Sequence, residues 1–157
     1  MKKIELTQGQ YALVDDWNYD YLIQWKWRAV QSGGLYYAVR GEKILIIQKR
    51  IWMARVIANT PNNMECDHIN HNTLDNQEHN LRNVTHSQNM MNKRVQSNNT
   101  LGEKGITFYN YNGYKSYIVQ VHKDGKCVYR KTFKTLEDAK QARNQAIEKY
   151  HREFSYY

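Results

Sequence analysis

Two dipeptides in the carboxy-terminal third of the chain, Asn112-Gly113 and Asp124-Gly125, place the strongest constraint on its fold. Both favour the positive backbone dihedral angles of tight hairpin turns. They separate runs of aromatic and β-branched residues, which favour strands. The sequence therefore predicts three antiparallel strands, at residues 105–109, 116–122 and 126–133.

A helix is predicted directly after the third strand. Thr135 is a typical helix-capping residue, and Asp138 places a carboxylate in the first turn, where the helix dipole favours it. An apolar stripe continues along the helix, formed by Ala139, Ala142, Ala146, Ile147 and Tyr150. One helix covers only one face of a three-stranded sheet, so the expected unit is α+β with an open sheet face.

The centre of the chain predicts a strand, a loop, a second strand and a helix in close succession. Residues 64–69 and 81–84 are the expected strands, and the polar residues 70–78 form the loop between them. Thr85 and Gln88 have the spacing of a capping box, so a helix is expected to begin there and to run to about residue 94.

The remaining segments divide the chain. Residues 1–60 are aromatic and β-branched and predict a β-rich region, with a short helix over residues 48–58. Residues 92–103 have almost no apolar content and are predicted to be a linker. A domain boundary is therefore expected in this linker.

The charge of the chain favours a polyanionic partner. Its formal net charge is +8, and its isoelectric point is about 9.4. Residues 1–60 carry 9 basic and 5 acidic side chains, and residues 101–157 carry 11 basic and 6 acidic ones. Residues 61–100 carry 3 basic and 4 acidic side chains, so two basic segments flank a nearly neutral centre.

Cysteine usage and hydropathy favour an intracellular protein. Cys66 and Cys127 are the chain's two cysteines, too few for a paired-cysteine zinc site or a disulfide framework. We expect two reduced thiols and no zinc. The longest aliphatic run, residues 44–47, is too short to span a bilayer, and no signal peptide is visible, so we expect a cytoplasmic location.

Histidine and asparagine are concentrated between Asp67 and Asn89, which contain four of the six histidines. Both residue types need hydrogen-bond partners when buried, so a dense cluster is either a solvated loop or a site. Taken singly, each of these residues has an ordinary structural role in a turn, a cap or an exposed helix face. His79 and His86 are assigned no function.

The cluster contains the groups that phosphodiester cleavage needs. A histidine can deprotonate water, and one divalent ion can relieve charge in the transition state and stabilise the leaving oxygen. Mg²⁺ or Mn²⁺ bound to a phosphate requires only one or two protein oxygen ligands. Asp67 offers a carboxylate and Asn89 an amide oxygen. His68 would lie on the opposite strand face from Asp67 unless the strand ends there.

The order of these residues resembles the HNH nuclease family, in particular the homing-endonuclease-like branch often found in phages. The matching elements are Asp67-His68, Leu74-Asp75-Asn76, Asn80-Leu81-Arg82 and Asn89, so the resemblance covers residues 64–94. It implies a ββα-metal fold in which His68 is the general base and Asp67 and Asn89 are metal ligands. It also implies that Asn80 braces the loop and orients His68. His71 stands where many relatives carry glycine, and we expect an ordinary loop role for it.

Residues 104–152 resemble the DNA-binding domain of plant ethylene-response factors. The resemblance is carried by Gly105-Ile106, Tyr117, Val119, Val121, Gly125-Lys126, Phe133, Ala139 and Ala142. It implies that the open sheet face enters the major groove of DNA. Arg130-Lys131 stands where relatives usually carry Leu-Gly, which leaves the strand parity there open.

Along each strand, the residues that alternate with the core-facing positions are expected on the open face of the sheet. Basic side chains are expected to contact DNA. The nucleic-acid-binding candidates of the carboxy-terminal segment are Lys115, Gln120, His122, Tyr129, Arg130 and Lys131. Those of the amino-terminal segment are Arg28, Arg40, Lys49, Arg50 and Arg55. The alternative is that these residues form a solvated basic surface that binds no ligand.

Together these features predict an α+β protein that hydrolyses phosphodiester bonds of double-stranded DNA, using Mg²⁺ or Mn²⁺. The expected domains are a nuclease domain at 1–94, a linker at 95–103 and a DNA-binding domain at 104–157. The alternatives are a non-catalytic, sequence-specific DNA-binding protein and, less favoured, an RNA-binding protein. A monomer is favoured, in the cytoplasm of a bacterial host if a phage encodes it.

Overall fold

A computed structural model describes residues 1–44, 47–93, 95 and 99–151. Its contacts divide the chain into two units, Met1–Thr85 and His86–Tyr157. The elements are mixed helices and antiparallel strands, so the predicted α+β class is confirmed. None of the helices within these residues has the length and apolar character needed to cross a membrane.

The first unit begins with a strand pair and a helix. Strands β1 (Lys2–Glu5) and β2 (Tyr11–Val14) are antiparallel, and helix α1 (Asp16–Leu22) follows. Their buried side chains form a core with residues from later elements, comprising Ile4, Ala12, Val14, Leu22, Trp27, Ala38 and Met53. The Trp27 indole N–H donates to the Leu22 carbonyl at 2.8 Å, so its polar atom is satisfied inside this core.

Next comes a three-stranded antiparallel sheet in the order β3-β4-β5. Its strands are β3 (Arg28–Ser32), β4 (Leu35–Ile44) and β5 (Ile47–Trp52), and helix α2 (Met53–Ile57) follows directly. The helix predicted over residues 48–58 is therefore wrong in its first half. These residues form a strand because they pair with β4, which aligns Ile51 with Arg40 and Lys49 with Glu42.

The unit ends with the two strands that carry the polar cluster. Strand β6 (Glu65–His68) pairs antiparallel with β7 (Leu81–Val84), and a 3₁₀ turn (Glu78–Asn80) leads into β7. Both strands agree with their predicted positions.

The second unit contains helix α3 (His86–Asn92), three strands and a long helix. The strands β8 (Ile106–Tyr111), β9 (Tyr114–Lys123) and β10 (Lys126–Phe133) form an antiparallel sheet in the order β10-β9-β8, and helix α4 (Leu136–Tyr150) follows. Ile106, Val119 and Val121 from the sheet pack with Ala139, Ala146 and Ile147 of α4.

Local geometry in this unit matches the sequence signals. Asn112 and Gly113 have φ of 50° and 82°, and Asp124 and Gly125 have φ of 51° and 74°, as two-residue hairpin turns require. The Thr135 hydroxyl accepts a hydrogen bond from the Asp138 N–H at 3.2 Å and caps α4.

A glycine is required where β8 begins. Gly105 has φ of +75°, and a Cβ at this position would lie 2.9 Å from the Gln120 carbonyl oxygen. The Gln120 N–H donates to the Gly105 carbonyl at 2.8 Å, which extends the pairing of β8 with β9.

The predicted linker is packed where it is described. Glu103 forms ion pairs with Lys140 at 2.7 Å and Arg143 at 3.0 Å, and Leu101 packs against the sheet–helix core. Residues 99–103 therefore pack as part of the second unit. Residues 94 and 96–98 lie outside the described residues.

Candidate active site

The candidate site lies where β6 ends. Asp67 and His68 are the last two residues of β6, and both are 7% exposed. The chain turns back directly after His68, because the His71 N–H donates to the His68 carbonyl at 3.0 Å and His71 has φ of +61°. A strand end followed by a turn is the condition under which neighbouring side chains can serve one site.

Asp67 is held by an arginine on the neighbouring strand. Arg82 lies opposite Asp67 in the β6–β7 register, and both its Nε and Nη2 are 2.9 Å from Asp67 Oδ2. One charge-assisted hydrogen bond and an ion-pair contact from the same guanidinium compensate for the burial of the carboxylate and fix its direction.

His68 contacts a buried amide in the loop. Its Nε2 lies 3.2 Å from Oδ1 of Asn76, a residue that is 1% exposed. Burial lowers the pKa of His68, an effect opposed by the Asn76 hydrogen bond and the carboxylates of Asp67 and Asp75. Since burial dominates, the neutral imidazole is favoured at neutral pH.

Asn80 braces the loop that joins the two strands. Its side-chain Oδ1 accepts from the Asn70 N–H at 2.9 Å, and its Nδ2 donates to the Asp75 carbonyl at 2.8 Å. The Ile69 N–H donates to the Asn80 carbonyl at 2.9 Å, so Asn80 spans the loop from one end to the other. Asn80 is 3% exposed, so loss of these hydrogen bonds would leave buried polar groups without partners and would destabilise the fold.

The edge of strand β2 supports the same loop. The Leu13 N–H donates to the Leu74 carbonyl, and the Asn76 N–H donates to the Leu13 carbonyl, both at 2.8 Å. The Thr73 hydroxyl donates to the carbonyl of Tyr36 on β4. The loop is thus hydrogen-bonded to two strands of the amino-terminal region, which gives that region a role in shaping the site.

Helix α1 holds the far end of the loop. Glu78 Oε1 accepts from the Trp17 indole at 3.0 Å and from Asn18 Nδ2 at 2.9 Å, and these bonds lower the pKa of Glu78. The Glu78 N–H in turn donates to Asp15 Oδ2 at 2.7 Å.

The donor set suits a hard cation with few protein ligands. The described residues contain no group of three or more histidine, cysteine or acidic side chains able to hold a metal. Mg²⁺ keeps several waters and needs only one or two carboxylate or carbonyl ligands from the protein. Asp67 supplies an oriented carboxylate of that kind. Asn89 lies on α3 in the second unit and is half-buried.

The basic candidates of the first unit differ in their surroundings. Arg28, Lys49 and Arg50 are exposed. Arg40 stacks on the rings of Trp25 and Trp27, and the guanidinium of Arg55 donates to backbone carbonyls in the turn after α2. The guanidinium groups of Arg40 and Arg55 thus have structural contacts in the fold.

Strand alternation divides the candidates of the second unit. Val119 and Val121 face α4, so Gln120 and His122 lie on the open face, and Arg130 is opposite Gln120. Tyr129 pairs with Val121 and Lys131 with Val119, so both lie on the helix side of the sheet. Lys115 is exposed and has the strand parity of Tyr117, which packs on the same core.

Three contacts of the site were not predicted from the sequence. These are the pairing of Arg82 with Asp67, the approach of Asn76 to His68, and the support of the loop by Leu13. The first has a usable signal, because antiparallel pairing of the two predicted strands brings Arg82 opposite Asp67 once the register is known.

Comparison with known proteins identifies the family. A family model described as HNH endonuclease matches residues 51–91, which include Asp67, His68, Asn80 and Asn89. A protein of Acanthamoeba polyphaga mimivirus, named Uncharacterized HNH endonuclease L560, is 30% identical over 148 residues, covering 94% of this chain and 74% of that protein. No solved structure gives a significant match.

The chain belongs to the HNH endonuclease family. The resemblance of the central segment to HNH nucleases is therefore confirmed. Membership implies nuclease activity on DNA, and HNH nucleases generally depend on a metal ion. The matched residues 51–91 do not include the carboxy-terminal segment, whose resemblance to ethylene-response-factor domains stays a prediction.

Proposed function

We propose that this protein is a metal-dependent DNA endonuclease in which His68 is the general base that activates water. The observation that carries the proposal is the position of His68 at a strand end, with Nε2 against Asn76. Among the described residues, His68 has no second side-chain hydrogen bond, so Nδ1 is left to accept a proton.

The protonation state of His68 supports this role. A general base must be unprotonated at the working pH, and burial holds the pKa of His68 below its ordinary value. Asn80 supports the role indirectly, because its hydrogen bonds to Asn70 and Asp75 keep the loop after His68 in one conformation.

The proposed metal ligands are Asp67 and Asn89, and the proposed ion is Mg²⁺ or Mn²⁺. Such an ion supplies charge stabilisation at the scissile phosphate and the leaving oxygen. Asp67 fits this use because Arg82 binds its Oδ2 and fixes the carboxylate. Asn89 is proposed from its place in the family's sequence pattern.

Double-stranded DNA is the proposed substrate, and the sheet of the second unit is a proposed contact surface. Its open face carries Gln120, His122 and Arg130, which suit contacts to phosphates and base edges. Exposed aromatic residues adjoin it on β8 and at the start of β9, namely Tyr109, Tyr111 and Tyr114. The exposed Arg28, Lys49 and Arg50 are the proposed phosphate contacts of the first unit.

Plasmid cleavage tests the proposal. Purified protein with Mg²⁺ should convert supercoiled plasmid to nicked or linear DNA, and a chelator should stop the reaction. The His68→Ala variant should bind DNA normally and cleave about 10²- to 10⁴-fold more slowly, the usual contribution of a general base.

His79→Ala is the matched control, because His79 is an exposed histidine on the 3₁₀ turn of the same unit. Its cleavage rate should stay at the wild-type level. Cleavage by His68→Ala at the wild-type rate would overturn the assignment of the base. A folded wild-type protein that binds DNA but never cleaves it would favour the non-catalytic DNA-binding alternative.

A further inference from the structure

Asn76 is the most completely buried polar residue near the candidate base. It is 1% exposed, and its backbone N–H donates to the Leu13 carbonyl at 2.8 Å. Its side-chain Nδ2 lies 3.3 Å from the Leu74 carbonyl, and its Oδ1 lies 3.2 Å from His68 Nε2. A buried amide at this position is costly unless both of its ends are hydrogen-bonded.

The two ends of this amide are not interchangeable. A carbonyl oxygen such as that of Leu74 can only accept, so the amide group that faces it must be the NH₂. The amide oxygen of Asn76 therefore faces His68. This assignment follows from the hydrogen-bond partners, which distinguish the oxygen from the nitrogen.

The orientation of the amide determines the tautomer of the imidazole. An amide oxygen only accepts hydrogen bonds, so His68 Nε2 must carry the proton that joins the two groups. A neutral imidazole carries one ring proton, and the lone pair is then on Nδ1.

We propose that Asn76 is a positioning residue that holds His68 in the tautomer with a proton on Nε2 and directs the basic Nδ1 towards the reacting water. The proposal rests on the proposed function in so far as His68 is the base. The residue that orients His68 is then Asn76 and not Asn80, because the amide of Asn80 is hydrogen-bonded to Asn70 and Asp75.

Strand β2 helps to position the Asn76 amide. The backbone of Asn76 is hydrogen-bonded to Leu13, whose own N–H donates to the Leu74 carbonyl. The Leu74 carbonyl therefore receives both the Leu13 N–H and the Asn76 side chain, and this shared acceptor fixes where the amide lies. The amino-terminal strand thus acts on His68 through the position of one amide.

Nitrogen-15 NMR of histidine-labelled protein, without metal or DNA, tests the proposal directly. At a pH where the imidazole is neutral, the wild type should show a His68 ring N–H signal on Nε2, protected from exchange with water. A His68→Gln variant identifies the signal among the six histidines.

Two substitutions of Asn76 separate the acceptor from the packing. Asn76→Ala removes the acceptor and should abolish the protected Nε2–H signal. Asn76→Asp restores an acceptor oxygen and should recover it. The matched control is Asn83→Ala on β7, which removes a half-buried hydrogen bond to the Ala58 carbonyl and should leave the His68 signal unchanged.

Cleavage assays give a second readout. At saturating Mg²⁺, Asn76→Ala should cleave about 10- to 100-fold more slowly, the range expected for partners that orient a functional imidazole. Asn83→Ala should stay within about twofold of the wild type, since its contact lies away from His68.

A wild-type spectrum with the His68 ring proton on Nδ1 would overturn the proposal. This measurement does not depend on the folding of any Asn76 variant. An unchanged Nε2–H signal in folded Asn76→Ala would also overturn it. Failure of the proposed function is distinguishable, since it would appear as full cleavage by His68→Ala, whatever the tautomer.

Discussion

Arg82 binds one oxygen of Asp67 through two of its nitrogens, with Nε and Nη2 each 2.9 Å from Oδ2. The Asp67 side chain is 8% exposed and that of Arg82 is 19% exposed. A carboxylate this buried needs a partner charge, and Arg82 on the facing strand supplies one. The pair thus orients the proposed metal ligand.

Arg82→Ala should lower the free energy of unfolding by about 2–4 kcal/mol, because it removes a positive charge that binds a buried carboxylate. Urea unfolding of the folded variant measures the loss. Asp67→Asn combined with Arg82→Ala should recover part of it, since no buried charge then remains. Additive effects of the two substitutions would show that the pair contributes nothing to stability.

Asp67→Ala and Asn89→Ala should each raise the Mg²⁺ concentration needed for half-maximal cleavage, because each removes one of two proposed protein ligands. DNA affinity measured without metal should change little. Asn72→Ala, an exposed asparagine of the site loop, is the control. An unchanged magnesium titration in either variant would remove that residue from the proposed ligand set.

The elements predicted well are those specified by neighbouring residues. The turn at Asn112-Gly113 needs only its own backbone dihedral angles, and the cap at Thr135 needs only the N–H of Asp138. Such interactions are complete within four residues, so the sequence is sufficient to predict them.

The prediction that was wrong depends on distant partners. Residues 48–52 contain bulky residues whose spacing is compatible with a helix, but they are the third strand of a sheet whose neighbour is β4. Tertiary pairing overrides local propensity there, and the Tyr37 and Trp52 rings meet edge-on across the two strands, 5.4 Å apart.

The candidate site residues are a prediction from the sequence motif, whereas the contacts that support them in the fold were not predicted. Asp67, His68 and Asn80 lie in short sequence elements that resemble those of HNH nucleases, so the sequence alone singles them out. Asn76 was part of a matched segment, but its contact with His68 depends on how the loop folds against Leu13. Such a contact joins three separate segments, and no periodicity or spacing in the chain encodes it.

Asn80→Ala should lower the free energy of unfolding by about 1–3 kcal/mol, because it leaves the Asn70 N–H and the Asp75 carbonyl without their buried partner. Cleavage should fall as well, since the loop after His68 is released. Gln77→Ala is the control, because its side chain binds Asp75 Oδ1 from a half-buried position and does not span the loop. Equal effects of both variants on cleavage would contradict the bracing role.

The last prediction concerns Arg130 and Lys131, which lie on opposite faces of the carboxy-terminal sheet. Arg130 faces the open side with Gln120, whereas Lys131 lies on the helix side with its Nζ 5.4 Å from the centre of the Phe133 ring. The logarithm of the DNA association constant should fall linearly with the logarithm of salt concentration, by about 0.9 for each phosphate neutralised.

Arg130→Ala should therefore flatten this slope by about one unit, while Lys131→Ala should leave it nearly unchanged. The two variants remove one positive charge each from adjacent positions, so each controls for the overall change in charge. Fluorescence anisotropy with a labelled duplex at several salt concentrations measures both slopes. A flatter slope for Lys131→Ala alone would show that DNA meets the helix side, because only that side carries the Lys131 ammonium.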